Sequence, residues 1–352
     1  MRWRIEADEP QQVLFADESL VDRHVGSGEF RGMEFLHVNA RTVVNRVAGA
    51  SRMPFEWTIN AYRGCSHACS YCFARPTHAY LELGIGDDFD RKIVVKVNAV
   101  ERVRAELSRP AWGGHHVAMG TNTDPYQRCE GKYHLYRGIL GVLAERANPF
   151  SLLTKSTLVL RDLDLLRAAA AVTDVRVNLS IATLDEAVWR ATEPGTPHPR
   201  QRVAAVRRLN EAGVPCGVLV APIIPGLSDA EDQLDAVVQA VVAAGAVGVS
   251  TVALHLKPGT REVFLERLAH THPEEAAALA ARYATGAYLP KPDQQDLAAK
   301  VRRLVSHHRG RSTSSARARF VEGPKRQGLG PGRPPPHPQP PPNPSPQLTL
   351  FS

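Results

Sequence analysis

Several things are scarce in this 352-residue chain. No apolar run approaches the ~20 residues that cross a bilayer, so no membrane-spanning helix is expected. The opening Met1-Arg2-Trp3-Arg4-Ile5-Glu6 turns acidic before any apolar stretch, unlike a secretory leader. Only five cysteines occur, and a chain this long needs no covalent staples, so a disulfide framework is not expected and a reducing, cytoplasmic setting is. Residues 334–352 carry no charge at all. The excess of positive charge is local too: residues 300–333 hold ten Lys/Arg against Glu322 alone. That leaves thirty-three Lys/Arg against thirty-five Asp/Glu in residues 1–299, so the overall +7 belongs to the tail and does not predict a basic catalytic body.

What is present is concentrated. Cys65, Cys69 and Cys72 lie within eight residues, spaced C-x3-C-x2-C, close enough for one short loop to wrap them around a single metal centre. Thiolates suit zinc or iron–sulfur clusters. A [4Fe–4S] cube normally takes four cysteines, so three leave one iron open to a small molecule. Zinc is the alternative, with His67 or His78 as fourth ligand, although no second close Cys pair exists to close such a site.

Apolar content of 43% is enough for one large α/β domain or two smaller ones. From about residue 56, short apolar segments alternate with helical patterns. Strands are expected at 57–62, 92–97, 116–120, 150–154, 175–181, 214–221 and 247–254, and helices over 99–107, 133–147 and 200–212, the last stopping at Gly213. Such alternation means parallel βαβ units with right-handed crossovers. About six units predict a partial TIM-like barrel, whose chemistry gathers at the carboxyl ends of the strands. Residues 1–50, with short strands at 13–15 and 35–38 and a turn at Gly26 and Gly28, read as an N-terminal elaboration. Residues 51–290 read as the barrel, 291–309 as a C-terminal helix, and 310–352 as a basic, then Pro-rich, disordered tail.

The cysteine spacing, with Tyr71 directly before the third thiol, resembles the cluster loop of the radical S-adenosylmethionine enzymes. The flanking stretches 52–60 and 73–78 are similar to the branch of spore photoproduct lyase-like and DNA repair photolyase-like proteins. The resemblance implies an open (β/α)6 barrel, a [4Fe–4S] cluster on Cys65, Cys69 and Cys72, and S-adenosylmethionine cleaved reductively to a 5′-deoxyadenosyl radical. An electron donor of the flavodoxin or ferredoxin type is implied with it. It also implies a cosubstrate site. The polar loop 120–127 would hold the amino group through Thr123 and Asp124, Lys155 would meet the carboxylate, Ser180 would face the ribose or methionine, and Tyr71 would join the cofactor-binding set. Read as residues alone, these positions are compatible with turn chemistry, a snorkelling lysine and a backbone-satisfied hydroxyl.

The substrate expected by resemblance is a DNA lesion; RNA, protein or a small molecule is the alternative, and a zinc-bound nucleic-acid module a further one. The true lyase uses a cysteine near the loop after the second core strand, where residues 119–123 have none. Cys129, a few residues on, is the candidate hydrogen donor, while Cys216 reads as core. The tail could contact phosphates. It ends in Gln347-Leu348-Thr349-Leu350-Phe351, which resembles the peptide by which bacterial repair proteins dock on the replication sliding clamp, presented here on a stretch with ten prolines in residues 331–346.

Overall fold

The computed structural model describes residues 20–47 and 55–311. The expected strand at 13–15 and the tail peptide Gln347–Phe351 lie outside the described residues. Eleven strands are described: β1 (Leu20–Val25), β2 (Glu34–Val38), β3 (Val44–Arg46), β4 (Trp57–Ile59), β5 (Tyr62–Arg63), β6 (Lys92–Lys96), β7 (Val117–Met119), β8 (Phe150–Thr154), β9 (Val175–Ser180), β10 (Cys216–Ile223) and β11 (Val249–Ala253). The α-helices are α1 (Asp87–Arg91), α2 (Ala99–Leu107), α3 (Glu130–Tyr133), α4 (Leu135–Glu145), α5 (Leu163–Ala170), α6 (Glu186–Thr192), α7 (Pro199–Glu211), α8 (Glu231–Ala243), α9 (Thr260–Ala269), α10 (Pro273–Arg282) and α11 (Lys291–Arg311).

The main sheet runs β11-β10-β9-β8-β7-β4-β3. Its first six strands in that order are mutually parallel, and only the edge pair β3–β4 is antiparallel. The βαβ alternation thus produces the six-stranded parallel sheet expected of an open barrel. Its strands bury one face against the surrounding helices, while alternate positions such as Ser151, Leu153, Arg176 and Asn178 are half-buried and Ser250 and Val252 of β11 are exposed. Ile59, Val117, Met119, Phe150, Leu152, Val177, Leu179, Val218 and Val220 are buried with Val103, Ile139, Leu140, Leu166, Val206 and Val237 from the surrounding helices. Each such aliphatic side chain contributes roughly 1.5–3 kcal/mol when fully buried. At the end of β7 the chain turns through Gly120 at φ +88°, where a Cβ would sit 1.9 Å from the Leu153 carbonyl oxygen, so only glycine passes there.

Two expectations are corrected. The run 57–62 is not one strand, because Asn60 and Ala61 interrupt it and Tyr62–Arg63 joins a second sheet, β1-β2-β6-β5. The strand at 92–97 belongs to that smaller sheet rather than to the barrel alternation, pairing parallel with β2 and antiparallel with β5. The period of two explains why β6 can leave. Ile93 and Val95 point into the main core, while Val94 faces Leu36, Val38 and Leu81 in a separate cluster. The N-terminal residues are therefore woven in: β1 and β2 share a sheet with β6, and β3 forms the edge of the main sheet. The C-terminal helix extends past its expected bounds as α11, with Val301 and Val305 buried in the main core. Among the described residues no helix is long and apolar enough to cross a membrane.

Candidate active site

The cysteine loop leaves β5 and is fixed from several directions. The Cys65 amide donates to Phe89 O (2.9 Å), and the Ser70 amide to Thr192 O (3.0 Å). Gly64 O accepts from Thr123 Oγ1 (2.7 Å) and Gln127 Nε2 (3.1 Å), and Gln127 Oε1 accepts from the Ser66 amide (2.9 Å). Arg75, with no exposed surface, donates to Cys69 O through Nε (3.1 Å) and Nη2 (2.9 Å) and pairs with Asp90 at 2.7 Å. On the other side the Gly195 amide meets His67 O at 3.0 Å, and a Cβ at Gly195 would lie 2.2 Å from Ser66 O. Glycine is needed there because two backbones touch.

Burial pushes all three thiols up, with Asp124 adding to the effect at Cys65 and Glu193 at Cys69. The thiolate form needed for metal binding is thus costly until positive charge arrives among them. Among the described residues no three Cys, His, Asp or Glu side chains gather closely enough to hold a single ion. A cube spreads its thiolates over separate irons and needs no such point of convergence. The three thiols lie on one short, braced loop and are near enough that Cys69 and Cys72 each help to hold Cys65 in its neutral form, a donor set that fits a cube.

The neighbouring strand ends supply a charged network. The Lys155 ammonium, just past β8, donates to Ser180 Oγ at 2.7 Å and pairs with Glu193 Oε1 at 3.0 Å, 5.7 Å from the Tyr71 ring centre. Ser180, at the end of β9, donates onward to Ala221 O (2.9 Å). Tyr71 donates to the same Glu193 oxygen. The other oxygen of Glu193 pairs with Arg202 at 2.6 Å. Arg202, buried on α7, also donates to Ser180 O and Thr196 Oγ1. Burial opposes ionisation of Glu193, but Arg202 and then Lys155 overcome it and bring the carboxyl down to about 2. Three of the sequence-predicted residues, Tyr71, Lys155 and Ser180, are thus brought together around a carboxylate that the sequence did not single out.

Thr123 and Asp124 form a second group. Asp124 Oδ1 accepts from Thr154 Oγ1 (2.6 Å) and the Tyr126 amide (2.8 Å); Oδ2 accepts from the Lys155 amide (2.8 Å) and lies 3.3 Å from His67 Nδ1. Burial works against the charge, yet His67, Thr154 and the Lys155 amide hold the carboxyl below the usual carboxylate range. Each oxygen already has two partners, so as placed Asp124 is a strut tying the cysteine loop to β8. Thr123, equally enclosed, ties the same loop through Gly64.

Cys129 requires correction. It is fully buried in the main core, and burial followed by Glu130 pushes its thiol up. A hydrogen donor must meet the substrate, and this sulfur faces protein on all sides. Cys216 is core, as expected. The residues that sequence reasoning missed are Glu193, Arg202, Gln127 and Arg75. The one local signal was Glu193-Pro194-Gly195, a carboxylate beside a turn dipeptide directly after a helix.

A parallel six-stranded barrel with a three-thiol loop beside its carboxyl ends defines a class, and comparison with known proteins agrees. The Radical SAM superfamily model matches residues 59–238, and the chain belongs to that superfamily. It is 45% identical over 287 residues to uncharacterized proteins of Mycobacterium tuberculosis and Mycobacterium bovis, covering 82% of this chain and 84% of theirs. An uncharacterized protein of Methanocaldococcus jannaschii is 30% identical over 201 residues, 56% of this chain and 71% of that one. Among solved structures the fold is similar to spore photoproduct lyase complexed with dinucleoside spore photoproduct. That match has TM-score 0.60 and 18% identity, covering 78% of this chain and 79% of the other. The protein is a radical SAM enzyme whose cofactors are a [4Fe–4S] cluster and S-adenosylmethionine. When bound, they supply reductive cleavage of the sulfonium and an organic radical that abstracts hydrogen. The chain's own part is to hold the cluster loop rigid, to orient the cosubstrate and to exclude water.

Proposed function

We propose that this radical SAM enzyme acts on a base within nucleic acid, in the repair of a DNA lesion. The observation that carries the reading is an aromatic lip beside the cysteine loop. Phe73, next to Cys72, is 45% exposed, and its ring centre lies 6.0 Å from that of His255. His255 stacks on Tyr288 at 5.5 Å and 16°, and Tyr288 is 59% exposed. His255 follows β11, one edge of the main sheet, so the lip joins the cysteine loop, which leaves β5, to the segment after β11. Burial, then Lys257, holds the imidazole toward its neutral form, leaving an uncharged π-surface. Bases of any identity stack on such surfaces. The similarity in fold to a lyase whose bound ligand is a dinucleoside photoproduct supports the same reading.

In this reading Lys155 meets the cosubstrate carboxylate, with Ser180 and Tyr71 alongside it and Glu193 holding the ammonium in place. The hydrogen returned to the product radical comes from a group other than Cys129, and residues 119–123 offer no thiol, so the chemistry differs from that of the lyase at that step. Electrons come from a flavodoxin- or ferredoxin-type donor. The terminal Gln347, Leu348, Leu350 and Phe351 dock on the sliding clamp, and removing 347–351 abolishes clamp retention in a pull-down without changing cluster absorption; unchanged retention ends that part. The test of the whole is anaerobic incubation of reconstituted enzyme with irradiated and unirradiated DNA. The expected result is 5′-deoxyadenosine formed in proportion to lesions lost. Cosubstrate cleavage that irradiated DNA leaves unaffected, with lesions intact, overturns the reading.

A further inference from the structure

Beside the strut residues lies a groove of about 530 Å³ whose lining includes Arg128, Lys132, Arg161, Glu29, Phe30 and Tyr126. Its cations are not equivalent. Arg161 is spent on protein: its Nη2 pairs with Glu130 (2.8 Å) and Asp162 (2.6 Å), and its Nη1 donates to Glu130 O. Arg128 and Lys132 are different. Both are exposed, and neither forms an ion pair with a carboxylate among the described residues. Arg128 makes one side-chain hydrogen bond, from Nη2 to Glu29 O (2.6 Å), and lies 5.7 Å over the Phe30 ring, leaving most of its five N–H donors unused. Lys132 stands 5.8 Å over Phe35 and 5.5 Å over Tyr133. The aromatic faces fix the two cations in position without neutralising them.

The chain order sets this groove against the reaction site. Arg128 follows Gln127, which grips the cysteine loop, and its amide donates to Ser66 Oγ at 3.2 Å. Two unpaired cations held on aromatic platforms beside the cluster loop suit anions carried in series, as phosphodiesters are along a strand. A body of net −2 makes the local pairing of like charges more telling, since it does not follow from an overall basic surface.

We propose that Arg128 and Lys132 form a phosphate-backbone track for single-stranded nucleic acid, leading a strand past the cysteine loop to the aromatic lip. This rests on the nucleic-acid reading above but not on the nature of any lesion. The experiment measures binding of a fluorescent twelve-residue thymidine oligonucleotide to full-length reconstituted enzyme by anisotropy, from 50 to 300 mM salt. The variant Arg128→Ala/Lys132→Ala is compared with Arg207→Ala/Arg208→Ala, which removes the same charge from the exposed side of α7. Losing two phosphate contacts should lower the slope of log K against log salt by about 1.4 and weaken binding roughly tenfold at 150 mM, while the α7 variant changes less than about twofold. Cluster absorption and cleavage of S-adenosylmethionine without DNA stay at wild-type level in both, which reports intact folding. Equal weakening by the two variants, or none in the first, overturns the track. Thymidine monophosphate binding as tightly as the oligonucleotide overturns it also, in favour of a single-phosphate site. Groove-dependent strand binding with irradiated DNA left unrepaired keeps the track and removes the repair reading.

Discussion

Replacing Glu193 by glutamine keeps the shape of the side chain and removes the one charge that Lys155 and Arg202 share. Glu193 is 2% exposed and Arg202 has no exposed surface, so solvent screens the pair little. The carboxyl falls from 4.5 to about 2 on folding, a difference that corresponds to roughly 3 kcal/mol of linked stability. Breaking a buried ion pair by deleting one partner typically costs about 3–5 kcal/mol, which agrees. Because the folded value is depressed, this contribution is complete above the unfolded value of 4.5 and is lost as pH falls toward 2. Urea unfolding of the anaerobic protein should therefore show Glu193→Gln about 3 kcal/mol less stable at pH 7, with the gap closing below pH 4.5. The double variant Glu193→Gln/Lys155→Met should recover about 1–2 kcal/mol of the expected sum, since the stranded ammonium is gone. A single variant within about 1 kcal/mol of wild type at pH 7, or strictly additive losses, would refute the argument that this carboxylate is what keeps the cations buried.

Lys155→Met alone leaves Glu193 paired with Arg202, so iron content should stay at wild-type level while the KM for S-adenosylmethionine rises at least about tenfold, worth ~1.4 kcal/mol; an unchanged KM removes Lys155 from the cosubstrate site. Gly195→Ala forces a methyl into Ser66 O and should cut reconstituted iron per chain by about half or more while circular dichroism is retained. Full iron loading would show that the two backbones can separate freely. Lys96 is buried, and burial followed by Arg63 lowers its ammonium to about 7. The folded chain then binds fewer protons than the unfolded one between pH 7 and 10.5, so stability rises with pH across that window. Lys96→Met should be at least about 2 kcal/mol more stable than wild type at pH 6, and the advantage should shrink by pH 10. A gap that widens with pH contradicts that burial.

The barrel was readable because its strands carry a buried residue at every second position between amphipathic helices, as at 150–154 and 175–180. The strand at 92–96 also stands next to a helical pattern, and yet it is buried on both faces and joined another sheet. A run buried on both faces says nothing of which sheet buries it, and the partners that decide, Leu36 and Val38, lie some sixty residues away. The thiol loop was legible from spacing alone. The carboxylate and guanidinium behind it were not, because Glu193 and Arg202 act through contacts with Tyr71, Lys155 and Ser180 that no local pattern encodes. Thr123 and Asp124 read as a polar loop, but folding spends their hydrogen bonds on Gly64, Thr154, Tyr126 and Lys155, partners that no local pattern encodes. Cys129 misled for a related reason. Position after a strand suggests the open end of the barrel, whereas the helical turn it starts rotates the sulfur into the core. Charge counted along the chain likewise hid the groove, since Arg128 and Lys132 are outnumbered in the body and unpaired only in space.

The central claim is that Cys65, Cys69 and Cys72 carry a cube with one iron open to S-adenosylmethionine. Anaerobic reconstitution with iron and sulfide, then reduction in the presence of the cosubstrate, tests it directly. The account predicts about four irons per chain and release of 5′-deoxyadenosine, both lost in the triple Cys→Ala variant. Fewer irons in the wild type, or a loaded and reduced protein that leaves S-adenosylmethionine whole, would contradict it.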